Sequence, residues 1–254
     1  MDVDRYEHGV PAWIDVGVDD PARTSEFFTA LFGWECPEGP PETGGYRNCT
    51  LRGRPVAGIG PRMNPEAPPF WASYVAVDDA DAVAERVTAN GGTVIVGPMD
   101  VMDFGRMAVF ADPVGALFSV WQAGTHHGCG VVNEPGAFSW SELITDDLDA
   151  ARRFYPAVFG WDHDDHPDYT EWTLGGRPIA GLMARPPGMP AEAPPMWIVY
   201  FAVEDTDAAV ARITELGGAV VAPAMDIPQG RFAVVEEPCG APFQIIALAE
   251  GLGG

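Results

Sequence analysis

The sequence predicts an α+β fold of four βαβββ modules, with mixed or antiparallel curved sheets and the helices outside them. Three observations carry this expectation. The chain repeats itself: Trp13-Ile14-Asp15-Val16 is echoed by Trp140-Ser141-Glu142-Leu143, Leu31-Phe32-Gly33-Trp34 by Val158-Phe159-Gly160-Trp161, and Arg54-Pro55-Val56-Ala57-Gly58 by Arg177-Pro178-Ile179-Ala180-Gly181. The offset is 127 residues from Trp13 to Trp140 and 126 from Trp71 to Trp197, so insertions nearly cancel. Each half then shows the same pattern twice, a strand followed by a short helical stripe. Finally, the strands after each helix are too closely spaced for crossover helices.

In the first module an alternating strand spans 12–18 and ends at Asp19-Asp20-Pro21. Asp20 suits an N-cap and Pro21 the first helical turn. Phe27, Phe28, Leu31 and Phe32 form an apolar helical stripe over 21–32, which Gly33 stops. Short strands follow near 46–51 and 55–61. After a Pro-rich stretch at 61–69 the second module repeats the plan, with a strand at 70–77, a helix at 79–89 closed by Asn90-Gly91-Gly92, and strands near 93–97, 106–111 and 116–122. The first domain is thus 1–122, residues 123–137 form a linker, and 138–254 is the second domain. There a strand at 138–145, a helix at 147–159, strands at 169–174 and 178–184, a Pro-rich 185–195, a strand at 196–203 and a helix at 205–216 precede strands running to 248.

Composition excludes several functions. The net charge of −23 argues against nucleic acid and anionic membrane surfaces as partners. All 14 basic residues are arginine, which removes Schiff-base catalysis and a P-loop lysine. Cys36, Cys49, Cys129 and Cys239 lack CxxC spacing, and a disulfide framework shared by the two copies is not expected. With no apolar run of membrane length and no signal-peptide pattern, a reduced, cytoplasmic setting is the expectation.

Asp20, Phe27, Phe28, Phe32, Gly33 and Trp34, with their counterparts Asp147, Leu148, Phe154, Tyr155, Phe159, Gly160 and Trp161, resemble the vicinal oxygen chelate superfamily. Asp112, Pro113 and Gly115, with Pro238 and Gly240, extend the likeness. This is the glyoxalase, bleomycin-resistance and extradiol-dioxygenase group. The resemblance implies that paired modules curl into two open cups, each able to hold a small ligand. In metal-dependent members it also implies an ion held by His, Glu or Gln from the cup strands. Here the first-strand ligand position, seven residues before the helix-starting Asp, is Trp13 in one copy and Trp140 in the other. The second-module strand offers Ala72 and Ile198, the last strand Ser119 and Gln244, and the remaining strand no ligand-type side chain. Three converging donors are not supplied, so the expectation is no metal and no cofactor. His163, Asp164, Asp165 and His166, and likewise His126, His127 and Cys129, read as surface groups.

Side chains two apart on a strand share a face. Trp13 and Asp15, and Trp140 and Glu142, are therefore expected to look into the cups. Tyr74, Ser119 and Trp121 join the first list, and Tyr200 and Gln244 the second. Tyr46, Trp172, Phe104, Arg106 and Arg231 are further candidates. Smaller residues at Gly17, Ala72 and Ser119 predict a roomier first cup. A carboxylate beside an indole is expected to have a raised pKa and to serve as a metal-free acid or base, or else to pair with Arg106 or Arg231.

The reading is a metal-independent protein that binds, and possibly transforms, a small aromatic or polycyclic organic molecule, as monomer or homodimer. The alternatives are a metal-dependent lyase or dioxygenase of the same superfamily, and a non-catalytic scaffold with filled cups.

Overall fold

The computed structural model describes residues 1–249. Each half of the chain builds one mixed sheet. In the first, β1 (Pro11–Val18), β2 (Arg47–Leu51), β3 (Arg54–Pro61), β4 (Phe70–Ala76), β5 (Thr93–Val101), β6 (Gly105–Ala111) and β7 (Leu117–Ala123) lie in the order β2-β3-β1-β4-β7-β6-β5. β1 runs parallel to β3 and antiparallel to β4, and β4 runs parallel to β7. The second sheet comprises β8 (Phe138–Thr145), β9 (Asp162–His166), β10 (Tyr169–Leu174), β11 (Arg177–Ala184), β12 (Met196–Ala202), β13 (Ala219–Ile227), β14 (Gly230–Glu236) and β15 (Pro242–Leu248). Its order is β13-β14-β15-β12-β8-β11-β10-β9. Consecutive modules therefore pair within each half. The additional strand β9 has the sequence Asp-His-Asp-Asp-His. It pairs with β10 along an outer edge, where charge is compatible with a strand and discourages edge-to-edge association.

The helices α1 (Pro21–Phe32), α2 (Ala80–Ala89), α3 (Leu148–Phe159) and α4 (Thr206–Glu215) all start the same way. Asp20, Asp79, Asp147 and Asp205 each accept a hydrogen bond from the backbone N–H three residues on. Gly33 and Gly160 end α1 and α3 in the left-handed conformation, at φ of 73° and 75°.

The two hydrophobic cores do not follow the division into halves. Phe27 and Phe28 of α1, with Trp34, share one core with Phe201 of β12, Ile213 of α4 and Phe243 of β15. Tyr155 and Phe159 of α3, with Trp161, share the other with Phe110 of β6, Phe118 of β7 and Val83 of α2. Sheets thus join the first module to the second and the third to the fourth, while the cores join the outer pair and the inner pair. Reciprocal hydrogen bonds reinforce the crossing. Trp34 Nε1 donates to Gly136 O, and Trp161 Nε1 to Gly9 O, both at 2.7 Å. The Asp-Pro-x-Gly turn before β7 and its Glu counterpart act likewise. Asp112 accepts from Val114 N and Ala116 N of its own turn and from the Tyr155 hydroxyl of α3. Glu237 accepts from Cys239 N, Ala241 N and the Thr24 hydroxyl of α1.

The segment 123–137, which joins the two sheets, is packed against the core: Gly128 to Val132 and Ala137 are buried, and Val131 and Val132 form bridges with Asp2 and Phe138. The expectation of fully reduced cysteines needs correction: Cys36 and Cys49 form a disulfide in the first half alone, because the Glu35–Thr50 bridge sets them opposite each other. No helix among the described residues is long and apolar enough to cross a membrane.

Trp161→Ala removes a fully buried indole and its bond across the halves. It is expected to lower stability by about 3–5 kcal/mol in urea unfolding. The loss should appear as a shift of one shared transition, since a core belonging to both halves cannot melt in one alone. Two separate transitions in the wild-type protein would contradict this coupling.

Candidate functional site

The concave face of each sheet carries the same hydrogen-bonded constellation. In the first, β1 presents Trp13 and Asp15, Tyr46 precedes β2, and β4 presents Tyr74. Trp13 Nε1 donates to the Tyr46 hydroxyl at 3.1 Å, and Tyr46 and Tyr74 donate to the Asp15 carboxylate at 3.1 and 3.0 Å. In the second, Trp140 Nε1 donates to the Tyr169 hydroxyl at 2.9 Å and Tyr200 to Glu142 at 3.1 Å. Tyr169 also lies close enough to Glu142 to oppose the rise in its pKa. The geometry depends on glycine in the neighbouring strand. A Cβ on Gly58 of β3 would overlap the Tyr46 hydroxyl, and one on Gly181 of β11 that of Tyr169.

Burial sets the chemistry of these groups. It pushes the Asp15 carboxyl up to about 6 and that of Glu142 up to about 7, against the opposing pull of their tyrosine hydrogen bonds. The tyrosines are raised well above their ordinary value by burial and by the adjacent carboxylate, which keeps them as donors. Each cup therefore holds a carboxyl group able to carry or release a proton near neutral pH.

The last strand differs between the cups. Ser119 stands in register with Tyr74, and Gln244 with Tyr200. The buried Gln244 Oε1 has no hydrogen-bond partner among the described residues. The greater room expected in the first cup is taken up. His126 lies edge-on to Trp13 with ring centroids 4.3 Å apart, and 5.7 Å from Trp121, whose Nε1 donates to His126 O. Trp13 is only 4% exposed, while Trp140 remains partly open. His126, expected to be a surface group, is thus packed inside, and burial lowers its pKa to about 4.

Four other candidates lie elsewhere. Trp172 is fully buried on the helix side of β10 beside Tyr155 and Trp161, because its position alternates with that of Tyr169. Phe104 is exposed in the turn between β5 and β6. Arg106 pairs with Asp81 and Asp100, and Arg231 with Asp207 and Asp226, on the outer surface, so neither meets the cup carboxylates. Tyr169 is the functional side chain that sequence reasoning missed. Its signal was present: a tyrosine stands eight residues before Arg54-Pro55 and again before Arg177-Pro178.

Metal-dependent members of the family that this chain resembles need several converging donors. The first cup offers Asp15 and Ser119 and the second Glu142 and Gln244, with both carboxylates already accepting from tyrosines. No group of three or more His, Cys, Asp or Glu comes together among the described residues. This donor set does not fit a divalent ion.

Glu142 is protonated in the folded protein up to about pH 7 but ionised above about 4.5 when unfolded, so its burial lowers stability as pH rises between those values. Glu142→Gln should therefore gain stability relative to wild type at pH 8, on the order of 3 kcal/mol, and the gain should vanish near pH 4.5. Chemical denaturation of both proteins across that range checks it; a difference independent of pH would refute the raised pKa. Gly181→Ala should displace Tyr169 and lower the Glu142 pKa-linked slope through lost burial, read in the same series.

The comparisons with known proteins agree with this architecture. A family model for the glyoxalase/bleomycin resistance protein/dioxygenase superfamily matches residues 11–120 and 137–245. The chain is 42% identical over 266 residues to the anthracycline biosynthesis protein DnrV of Streptomyces peucetius, covering 97% of this chain and 96% of that protein. It is 42% identical over 258 residues to the putative glyoxylase CFP32 of Mycobacterium tuberculosis, covering 96% and 97%. Among solved structures, the Mn(II)-bound glyoxalase from Novosphingobium aromaticivorans superposes with a TM-score of 0.67 at 16% identity, covering 95% of this chain and 83% of that one, a likeness of fold alone. Two matched halves and relatives of this similarity along the full chain establish that the protein belongs to the glyoxalase/bleomycin resistance/dioxygenase superfamily.

Proposed function

We propose that the second cup binds a planar aromatic or polycyclic small molecule without a metal ion, and that Glu142 exchanges a proton with it. The observation that carries this reading is that a near-neutral buried carboxyl group and the unpartnered Gln244 Oε1 flank Tyr200, which stands in register with Gln244 and donates to Glu142. A buried acceptor without a donor costs free energy, which a ligand hydroxyl would recover. The partly open Trp140, on the strand face of Glu142, and Phe232, whose ring lies 6.3 Å from that of Tyr200, supply an apolar surface for a flat ring system. The names of two relatives, the anthracycline biosynthesis proteins DnrV and DauV, support a polycyclic aromatic ligand. Glu142, held by Tyr169 and Tyr200, takes a proton from a phenolic O–H or an activated C–H of the ligand and returns it to another position, with no change in oxidation state. A second reading, sequestration without turnover, is favoured by the hydrogen bond that Glu142 already accepts from Tyr200.

A hydroxylated anthraquinone should quench tryptophan fluorescence saturably. Trp140→Ala and Gln244→Ala should each weaken that binding by about tenfold or more, as expected for a lost stacking surface or buried hydrogen bond. Chelator treatment should leave it unchanged. Absence of saturable quenching, or its loss together with a stoichiometric metal, would overturn the proposal. Exchange of ligand protons with deuterated solvent that disappears in Glu142→Gln favours catalysis over sequestration.

A further inference from the structure

Beside the first cup, sharing Trp121 with it, lies a cleft of about 410 Å³, between the N-terminal segment, the ends of β4 and β7, and His127. Two of its polar side chains, His8 and Gln122, already use an acceptor on a backbone N–H, while Tyr6 and Trp121 spend their donors on backbone carbonyls. His8 Nδ1 accepts from Asp78 N at 3.2 Å, which places the neutral ring's proton on Nε2. Gln122 Oε1 accepts from Ala80 N at 3.0 Å, leaving its amide N–H groups free. The Tyr6 hydroxyl donates to Cys129 O. Arg5 has no salt bridge among the described residues, although it sits between acids, because Asp4 is engaged by Arg54 and Glu7 by Arg177. The cleft is therefore rich in unspent donors, with Asp78 the opposing carboxylate at its wall. Trp121 and Tyr6 add aromatic surface.

We propose that this cleft binds a small organic oxyanion, a carboxylate or phosphate monoester on a compact apolar body. Arg5, His8 Nε2, Gln122 and His127 hydrogen-bond the oxygens, and the body packs on Tyr6 and Trp121. Arg5 offsets Asp78 within the cleft lining, so in a chain of net charge −23 this wall repels an anion less than the acidic surface around it. The site shares no residue with the second cup.

Calorimetric titration of the full chain with benzoate, phenyl phosphate and the neutral benzyl alcohol tests this. Saturable binding of at least one anion, and none of benzyl alcohol, is expected. Benzoate alone identifies a carboxylate site, phenyl phosphate alone a phosphate site, and both a general oxyanion site. Arg5→Gln and His127→Ala, both on the exposed surface, should each weaken binding by about tenfold or more with an unchanged melting temperature. Glu142→Gln should leave it unaltered. Failure of both anions to saturate, equal binding of benzyl alcohol, or undiminished affinity in Arg5→Gln would overturn the proposal.

Discussion

The structure depends on one constraint: each half must cover its core with a helix that also serves the other half. α1 brings Phe28 and Trp34 against Phe201 and Phe243, while α3 brings Tyr155 and Trp161 against Phe118. Large aromatic side chains bury enough apolar area to dominate the folding energy, so neither half is complete alone. The matched Trp34 and Trp161 bonds to Gly136 and Gly9, which lie just before β8 and β1, fix the start of each first strand. Those strands carry Asp15 and Glu142. The position of each site carboxylate is therefore set from the opposite half.

Within that frame the site works by withholding water from an acid. Desolvation raises the carboxyl pKa and tyrosine hydrogen bonds lower it, and desolvation wins in both Asp15 and Glu142. The second cup keeps an open tryptophan and an unsatisfied glutamine, whereas His126 fills the first. Duplication thus yields two similar constellations, and a single segment joining them distinguishes their surroundings. The superfamily fold supplies the cup; the residues lining it decide which chemistry it supports.

Where residue-level reading failed, the cause was phase. Trp172 is a cup candidate by its place on a strand, but a shift of one residue along a strand moves a side chain to the other face. Tyr169 lies three positions earlier, on the opposite face, above Gly181. Strand position alone leaves Arg106 and Arg231 as candidates for the cup and for pairing with its carboxylates. Their real partners, Asp81 with Asp100 and Asp207 with Asp226, come from a helix and a neighbouring strand on the outside.

The amino-acid sequence by itself determined the duplication, the α+β modules, the capped helix starts and the inward placement of Trp13, Asp15, Trp140, Glu142, Tyr74 and Tyr200. These follow from local periodicity and cap chemistry, which need no knowledge of distant contacts. Only the tertiary structure decided that the cores cross between halves, that Tyr46 and Tyr169 lie over Gly58 and Gly181, and that His126 enters the first cup. Each of these joins residues far apart in the chain, and packing rather than local preference chooses among the partners that could fill the same space.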